Sequence, residues 1–188
     1  VEGMASSLGP SLLAASNAGA TQVNLAAGEA RQKLDTAVAL YNTDLGGRAL
    51  FAGVGTDGNA VVDVETLLTA LDLAILGATT ANDLEARITA WFEAPAGYAT
   101  AGYLGGGPLT SVAVAPSETA NLDFTAADPG IRDTLKGLAM AAMLGRGALA
   151  GDPSARADLA RLAGENLISS QTSRTNMAAR LGTVEGQV

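Results

Sequence analysis

The chain has 188 residues, of which 48% are hydrophobic and 16% charged, and this excludes a wholly disordered chain and a large multidomain enzyme. It contains no cysteine and no histidine, so disulfides, thiol chemistry and Ser-His-Asp or Cys-His catalysis are excluded. The net charge of −8 and the scattered positions of its eleven Lys and Arg residues exclude the dense basic surface that binds nucleic acid or an anionic membrane.

The abundance of small aliphatic residues predicts a mainly helical chain. Alanine occupies 39 positions and leucine 25, whereas aromatic residues make up 4%, and this composition favours closely packed helices. The first helix is predicted over residues 1–15, with a kink at Gly9-Pro10 and a loop over 16–19.

A long helix is predicted next, over residues 21–45. The Gly46-Gly47 pair is expected to end it. Its apolar positions recur every three or four residues, which is typical of a helix that packs along another long helix; they are Val23, Ala27, Ala30, Leu34, Ala37, Tyr41 and Leu45.

Short strands are predicted in the middle of the chain. Residues 49–54 and 60–62 are expected to form two strands around a Gly-rich turn at 55–58. Residues 108–116 and 119–126 alternate between apolar and polar side chains, which predicts a hairpin.

Two shorter helices are predicted between these strands. Asp63 is expected to cap a helix that stops at Gly77. Thr80 and Asp83 resemble a capping box at the start of the second helix, which Pro95 closes.

The last third of the chain is predicted to be helical again. Asp128-Pro129 begins a helix that reaches residue 144, and we expect it to be the most buried helix because it is apolar around most of its circumference. Asp152-Pro153 begins a long helix that continues to the end of the chain.

The order of these elements predicts a mainly α fold with an α+β insertion. Residues 1–49 and 128–188 are expected to form a discontinuous, elongated bundle of long helices, and residues 50–127 a small outer domain with hairpins and two helices. Apolar residues keep a spacing of three or four from Val1 and up to Val188, so we expect both end helices to continue outward in a longer parent protein.

Motifs that indicate binding or catalysis are few. Gly53–Gly58 matches the G-x-G-x-x-G pattern of dinucleotide-binding loops, which makes a small acidic nucleotide- or ligand-binding domain one hypothesis. The short flanking strands favour the other interpretation, a turn that needs glycine for positive φ. Carboxylate pairs such as Asp123 and Asp128 lie in no catalytic motif. The sequence therefore predicts no enzyme activity, no catalytic residue, no cofactor and no metal site.

Two segments of the chain resemble the flagellin family. Residues 42–53 read Asn-Thr-Asp-Leu-Gly-Gly-Arg-Ala-Leu-Phe-Ala-Gly, similar to the segment that leaves the family's long helix, although Ala49 stands where an aromatic residue is usual. Asp-Pro-Gly-Ile-Arg-Asp at 128–133 is similar to the start of the helix that returns from the outer domain. The resemblance covers residues 21–53 and 124–188; in the C-terminal helix it rests on Asn176, Arg180, Leu181 and Glu185.

The resemblance implies a structural protein of the bacterial flagellum, and within the family it points to the hook-associated subunits at the junction of hook and filament. A filament subunit is the alternative within the family. Such a protein is secreted through the flagellar export channel, lies outside the cell and serves motility. A helical adaptor or secreted effector, which shares the composition, is a further hypothesis.

The resemblance also implies partners. They are copies of the chain in a ring, a neighbouring hook-associated protein, flagellin and hook subunits, and an export chaperone that acts through a terminal segment. Nucleic acid and membrane are not among them. Family members carry terminal helices that form an inner tube on assembly, so we expect this chain to be a core fragment without them and to be monomeric in solution.

Overall fold

The computed structural model describes residues 2–115, 118–122 and 124–185. Within these ranges the chain is mainly helical and has two small antiparallel pairs of strands, which confirms the prediction of a mainly α fold with short strands. None of the helices in these ranges is long and apolar enough to cross a membrane.

Six α-helices and four strands make up the described residues. Their order and bounds are α1 (Glu2–Ala18), α2 (Ala20–Tyr41), β1 (Asp44–Leu45), β2 (Arg48–Ala49), α3 (Val64–Ala74), α4 (Ala81–Glu93), a π-helical turn (Tyr98–Gly102), β3 (Leu109–Ala115), β4 (Glu118–Leu122), α5 (Pro129–Gly145) and α6 (Pro153–Glu185).

The connection between α1 and α2 is a single residue. α1 continues through Pro10, and Gly19, with a φ of 97°, alone separates the two helices. The predicted loop over 16–19 is therefore wrong. The polar side chains that suggested a loop are satisfied inside the helix, because Ser16 and Asn17 both donate hydrogen bonds to the carbonyl oxygen of Leu13.

α2 ends at Tyr41, four residues before the predicted end. Gly46 and Gly47, with φ values of 63° and 81°, instead form the turn of the β1–β2 hairpin, because two consecutive residues of positive φ suit a tight two-residue hairpin. The predicted strands 49–54 and 60–62 are wrong. The predicted stripe is buried as far as Tyr41, whereas Leu45 is 73% exposed.

The four predicted N-cap side chains are confirmed. Each one accepts a hydrogen bond from a backbone N–H in the first turn of the helix that follows. The distances are 2.9 Å for Asp63, 3.2 Å for Thr80, 3.0 Å for Asp128 and 2.9 Å for Asp152.

The four long helices lie against one another. α1 contacts α2 and α6, and α5 contacts the same two helices. Gly9 lies against Ile168 and Leu12 lies against Gly164, so α1 and α6 run antiparallel. Burial is greatest in α5, as predicted, with twelve of its 17 residues buried, compared with eight of 22 in α2.

The middle of the chain packs on these helices. α3 contacts α2 and α5, and α4 contacts α5 and α6, so the side chains of α3 and α4 belong to the same buried cluster as those of the long helices. β3 and β4 pair antiparallel, which confirms the second predicted hairpin in its backbone, although β4 ends at Leu122. The turn at 116–117 lies outside the described residues, as do residues 186–188. The division into two domains stays a prediction.

Candidate functional site

The segment over 42–53 meets the residues just before α5 in space. The backbone N–H of Ala126 donates to the carbonyl oxygen of Phe51 at 2.8 Å, and the hydroxyl of Tyr98 donates to the carbonyl oxygen of Ala126 at 2.9 Å. The ring of Phe51 packs edge-on against Tyr41 at the end of α2, with ring centres 5.5 Å apart. Burial raises the pKa of Tyr98, so its hydroxyl stays protonated and keeps donating. The chain therefore leaves the long helices and returns to them at one point.

Asn42, the first residue of the motif, holds the segment beside this point. Its side-chain amide donates to the carbonyl oxygen of Val61 at 2.9 Å and accepts from the N–H of Val61 at 2.8 Å. Val61 is fully buried and also bridges antiparallel to Tyr103. The amide thus pairs with the backbone as a neighbouring strand would, and a side chain of another shape could not make both bonds.

The returning motif is placed at the start of α5. Asp133 lies 3.6 Å from Lys136 and accepts a hydrogen bond from Ser173 of α6 at 3.4 Å. Arg132 is half-buried on the same helix, and Asn176 is exposed on α6. The side chains of three further motif residues lie outside the described ones: Arg180, Leu181 and Glu185. Asp123, one of the paired carboxylates considered above, is also outside the described residues.

The loop Gly53–Gly58 is filled by the chain itself. A Cβ at Gly53, where φ is 58°, would overlap the carbonyl oxygen of Gly107, and one at Gly55 would lie 3.1 Å from the nitrogen of Gly106. The backbone N–H of Val54 donates a hydrogen bond to the carbonyl oxygen of Gly107 at 2.9 Å. These glycines are therefore needed because two loops approach backbone to backbone, and the space that a pyrophosphate would take beside Gly53 is occupied.

Glycines also lie where other helices cross α6. Gly9 of α1 and Gly164 of α6 face each other: a Cβ at Gly164 would lie 2.8 Å from the carbonyl oxygen of Gly9. On the other side, a Cβ at Gly137 of α5 would lie 2.7 Å from Leu167. Helices with no side chain at the crossing approach closely, so these glycines set the distances from α6 to α1 and to α5.

An ion-pair network connects α3 to the long helices. Arg146, at the end of α5, contacts Glu65 and Asp72 of α3, each at 2.6 Å, and Arg31 of α2 contacts Glu65 at 3.3 Å. The guanidinium of Arg146, and after it that of Arg31, lowers the pKa of Glu65. The sequence alone does not reveal this network, because residues that pair in it are up to 81 positions apart.

Arg156 of α6 is a second position that sequence analysis missed. Its guanidinium donates to the carbonyl oxygens of Leu144 and Ala148 at 3.0 and 2.7 Å, and to the side-chain oxygen of Asn24 at 2.8 Å. It therefore satisfies carbonyl groups at the end of α5 and ties α2, α5 and α6 together. In the sequence, the indication of this role is a basic residue close to the start of the helix predicted from Asp152-Pro153.

No protein-family model matches this chain, and neither a curated protein nor a solved structure matches it.

Proposed function

We propose that this chain is a structural subunit of the bacterial flagellum, placed at the junction of hook and filament. The observation that carries the proposal is the meeting of the two flagellin-like motif segments. Phe51 and Ala126 are 75 positions apart in sequence, yet their backbones are hydrogen bonded where the middle of the chain leaves the long helices. The motifs at 42–53 and 128–133 stand at the two sides of this exit.

The proposed mechanism is rigid packing. In this proposal α1, α2, α5 and α6 act as an elongated bundle that tiles side by side with its neighbours, and residues 50–127 form the outer domain. The glycine contact between Gly9 and Gly164 and the burial of twelve of the 17 residues of α5 support a stiff unit, because closely packed interiors have low compressibility. Stiffness is what a subunit needs if it is to transmit torque.

The proposed setting follows from the same role. The chain is exported through the flagellar channel and lies outside the cell, where it assembles with copies of itself in a ring and contacts hook-associated, hook and flagellin subunits. An export chaperone is a further proposed partner. The absence of cysteine is compatible with export as an unfolded chain, since no disulfide can obstruct threading.

Deletion of the gene in its own bacterium tests the proposal. We expect non-motile cells that carry hooks without filaments and that release filament protein into the medium, because exported filament subunits have no junction on which to assemble. Expression of the gene from a plasmid restores filaments. If instead the medium lacks filament protein, the chain is the filament subunit itself. Normal filaments and swimming would overturn the flagellar proposal altogether.

A further inference from the structure

Asp57-Gly58 is the one place in the sequence where a glycine follows an aspartate. Both residues are exposed, as is Asn59, and a Cβ added to Gly58 would meet no atom within 4 Å. A side chain on the residue that follows an aspartate hinders attack by that residue's backbone nitrogen on the carboxyl carbon, and glycine has no side chain. Of the aspartates in the sequence, Asp57 is therefore the one best placed to react with its own backbone.

The carboxylate of Asp57 has no partner, unlike the other aspartates among the described residues. It forms no ion pair and accepts no hydrogen bond from any residue in the ranges that the structure describes. The others each accept a hydrogen bond or form an ion pair; they are Asp35, Asp44, Asp63, Asp72, Asp83, Asp128, Asp133, Asp152 and Asp158. Such contacts restrict the rotation of a side chain, so the carboxyl group of Asp57 has more freedom than these to turn toward its own backbone.

The backbone nitrogen of Gly58 is equally free. Its N–H has no acceptor among the residues that the structure describes, although the turn is fixed on both sides of it. On one side, the carbonyl oxygen of Thr56 accepts a hydrogen bond from the N–H of Ala49 at 3.1 Å. On the other, the carbonyl oxygen of Ala60 accepts one from the N–H of Leu104 at 2.9 Å. Approach of the neighbouring carboxyl carbon to the nitrogen of Gly58 therefore breaks no hydrogen bond.

We propose that Asp57 is a modification site, at which the backbone isomerises to isoaspartate while the protein stays folded. The nitrogen of Gly58 attacks the carboxyl carbon of Asp57, a C–N bond forms, and the carboxyl hydroxyl leaves with the N–H proton as water. Water then adds to one of the two carbonyl carbons of the resulting cyclic imide and breaks the C–N bond there. Opening at the main-chain carbonyl leaves the backbone running through the side chain of Asp57, so the product has an unchanged mass. Water is the only other reactant.

The fold accommodates the product. Isomerisation adds a single methylene group to the main chain between Thr56 and Ala60, whose carbonyl oxygens are held by hydrogen bonds. Residues 57–59 between them are exposed, so the lengthened turn extends into solvent and leaves the buried Val61 in place. Isoaspartate then accumulates for as long as the molecule persists, and its fraction measures the age of the molecule. This inference goes beyond the flagellar proposal and does not depend on it.

Ageing of the purified protein tests the site. The folded chain is incubated at neutral pH, digested at intervals, and its peptides are fragmented by electron transfer, which distinguishes isoaspartate from aspartate of equal mass. We expect isoaspartate at Asp57 earlier and in larger amount than at any other aspartate, with an unchanged circular dichroism spectrum. An unmodified Asp57, or a faster reaction at another aspartate such as Asp44, would overturn the assignment. Either result leaves the flagellar proposal to be tested by gene deletion.

Matched variants then test the chemistry. Gly58→Ala places a methyl group in open space, so the fold is kept while attack by the nitrogen is hindered, and most of the isoaspartate should disappear. Asp57→Asn should release ammonia through the same cyclic imide. A synthetic peptide of residues 53–61 gives the rate without the fold, and the protein should react at a comparable rate. Isoaspartate that persists in Gly58→Ala, or a peptide that reacts while the protein does not, would overturn the proposal.

Discussion

The crossing of α1 and α6 gives the sharpest test of the packing. The substitution is Gly164→Ala, which adds one methyl group to a helix interior. That methyl would lie 2.8 Å from the carbonyl oxygen of Gly9 and 3.2 Å from side-chain atoms of Leu12 and Leu13. The backbone carbonyl cannot rotate away from it, so α1 must move away from α6.

The expected magnitude is the difference between two opposing effects. Overpacking of a tight contact lowers the free energy of unfolding by about 1–3 kcal/mol. Replacement of glycine by alanine inside a helix raises it by about 1 kcal/mol. We therefore expect Gly164→Ala to lower the free energy of unfolding by about 1 kcal/mol. Gly28→Ala is the matched control, because Gly28 lies inside α2 with no atom within 4 Å of its added Cβ. There only the helix preference remains, and the free energy of unfolding should rise by about 0.5–1 kcal/mol.

Thermal unfolding followed by circular dichroism measures both variants. For a chain of this length 1 kcal/mol corresponds to about 2–4 °C in Tm, so the two Tm values should lie on opposite sides of the wild-type value and differ by about 3–8 °C. Urea titration gives the same order of stability. If both alanine variants are stabilised to a similar extent, α1 and α6 do not approach at Gly9 and Gly164, and the reasoning is refuted.

Three further predictions concern other contacts. Asn42→Ala leaves a buried backbone N–H and C=O without partners and should lower the free energy of unfolding in urea titration by about 2–4 kcal/mol; an unchanged midpoint would contradict the anchoring role. Gly53→Ala should cost about 2 kcal/mol or more in the same titration because of its positive φ and the overlap it creates, whereas Gly58→Ala should be nearly neutral; equal effects, or a higher Tm with ATP or NAD, would favour a nucleotide loop. Because the folded-state pKa of Glu65 lies below its ordinary value of 4.5, its contribution to stability is present above that pH and is lost as the pH falls through the folded-state value. Arg146→Gln should therefore reduce the loss of Tm on acidification, and parallel curves of Tm against pH would contradict this.

Helix starts could be predicted from the sequence because their chemistry is local. The side chain of Asp63 reaches an N–H three residues away, and that of Asp128 one two residues away, so the pattern and the bond lie in the same short stretch. Pro129 at the first helical position adds a restriction on φ that is again local. Each of these starts was predicted correctly.

The end of α2 could not be predicted by the same logic. One glycine of positive φ ends a helix, whereas two in succession turn a hairpin, and Gly46-Gly47 fits both. The bonds between Asn42 and Val61, nineteen residues apart, hold the chain in its new direction after Tyr41. Such a bond depends on the tertiary fold and leaves no periodic signal in the sequence.

The close glycine contacts could not be predicted from the sequence either, because their partners are distant along the chain. Gly9 and Gly164 each appear in the sequence as a costly residue inside a predicted helix, and that cost signals a packing role without naming the partner. Likewise, Gly53 in a G-x-G-x-x-G pattern indicates a close backbone approach, and only the fold shows that the approaching backbone is that of Gly107.

The central claim is that this chain is located at the junction of hook and filament. Labelling of intact flagella tests this claim most directly. An antibody raised against this chain and coupled to gold is applied to flagella isolated with their hooks and viewed by electron microscopy. We expect gold particles in one narrow band where the hook meets the filament. Gold along the whole filament, or no gold on the flagella at all, would contradict the claim.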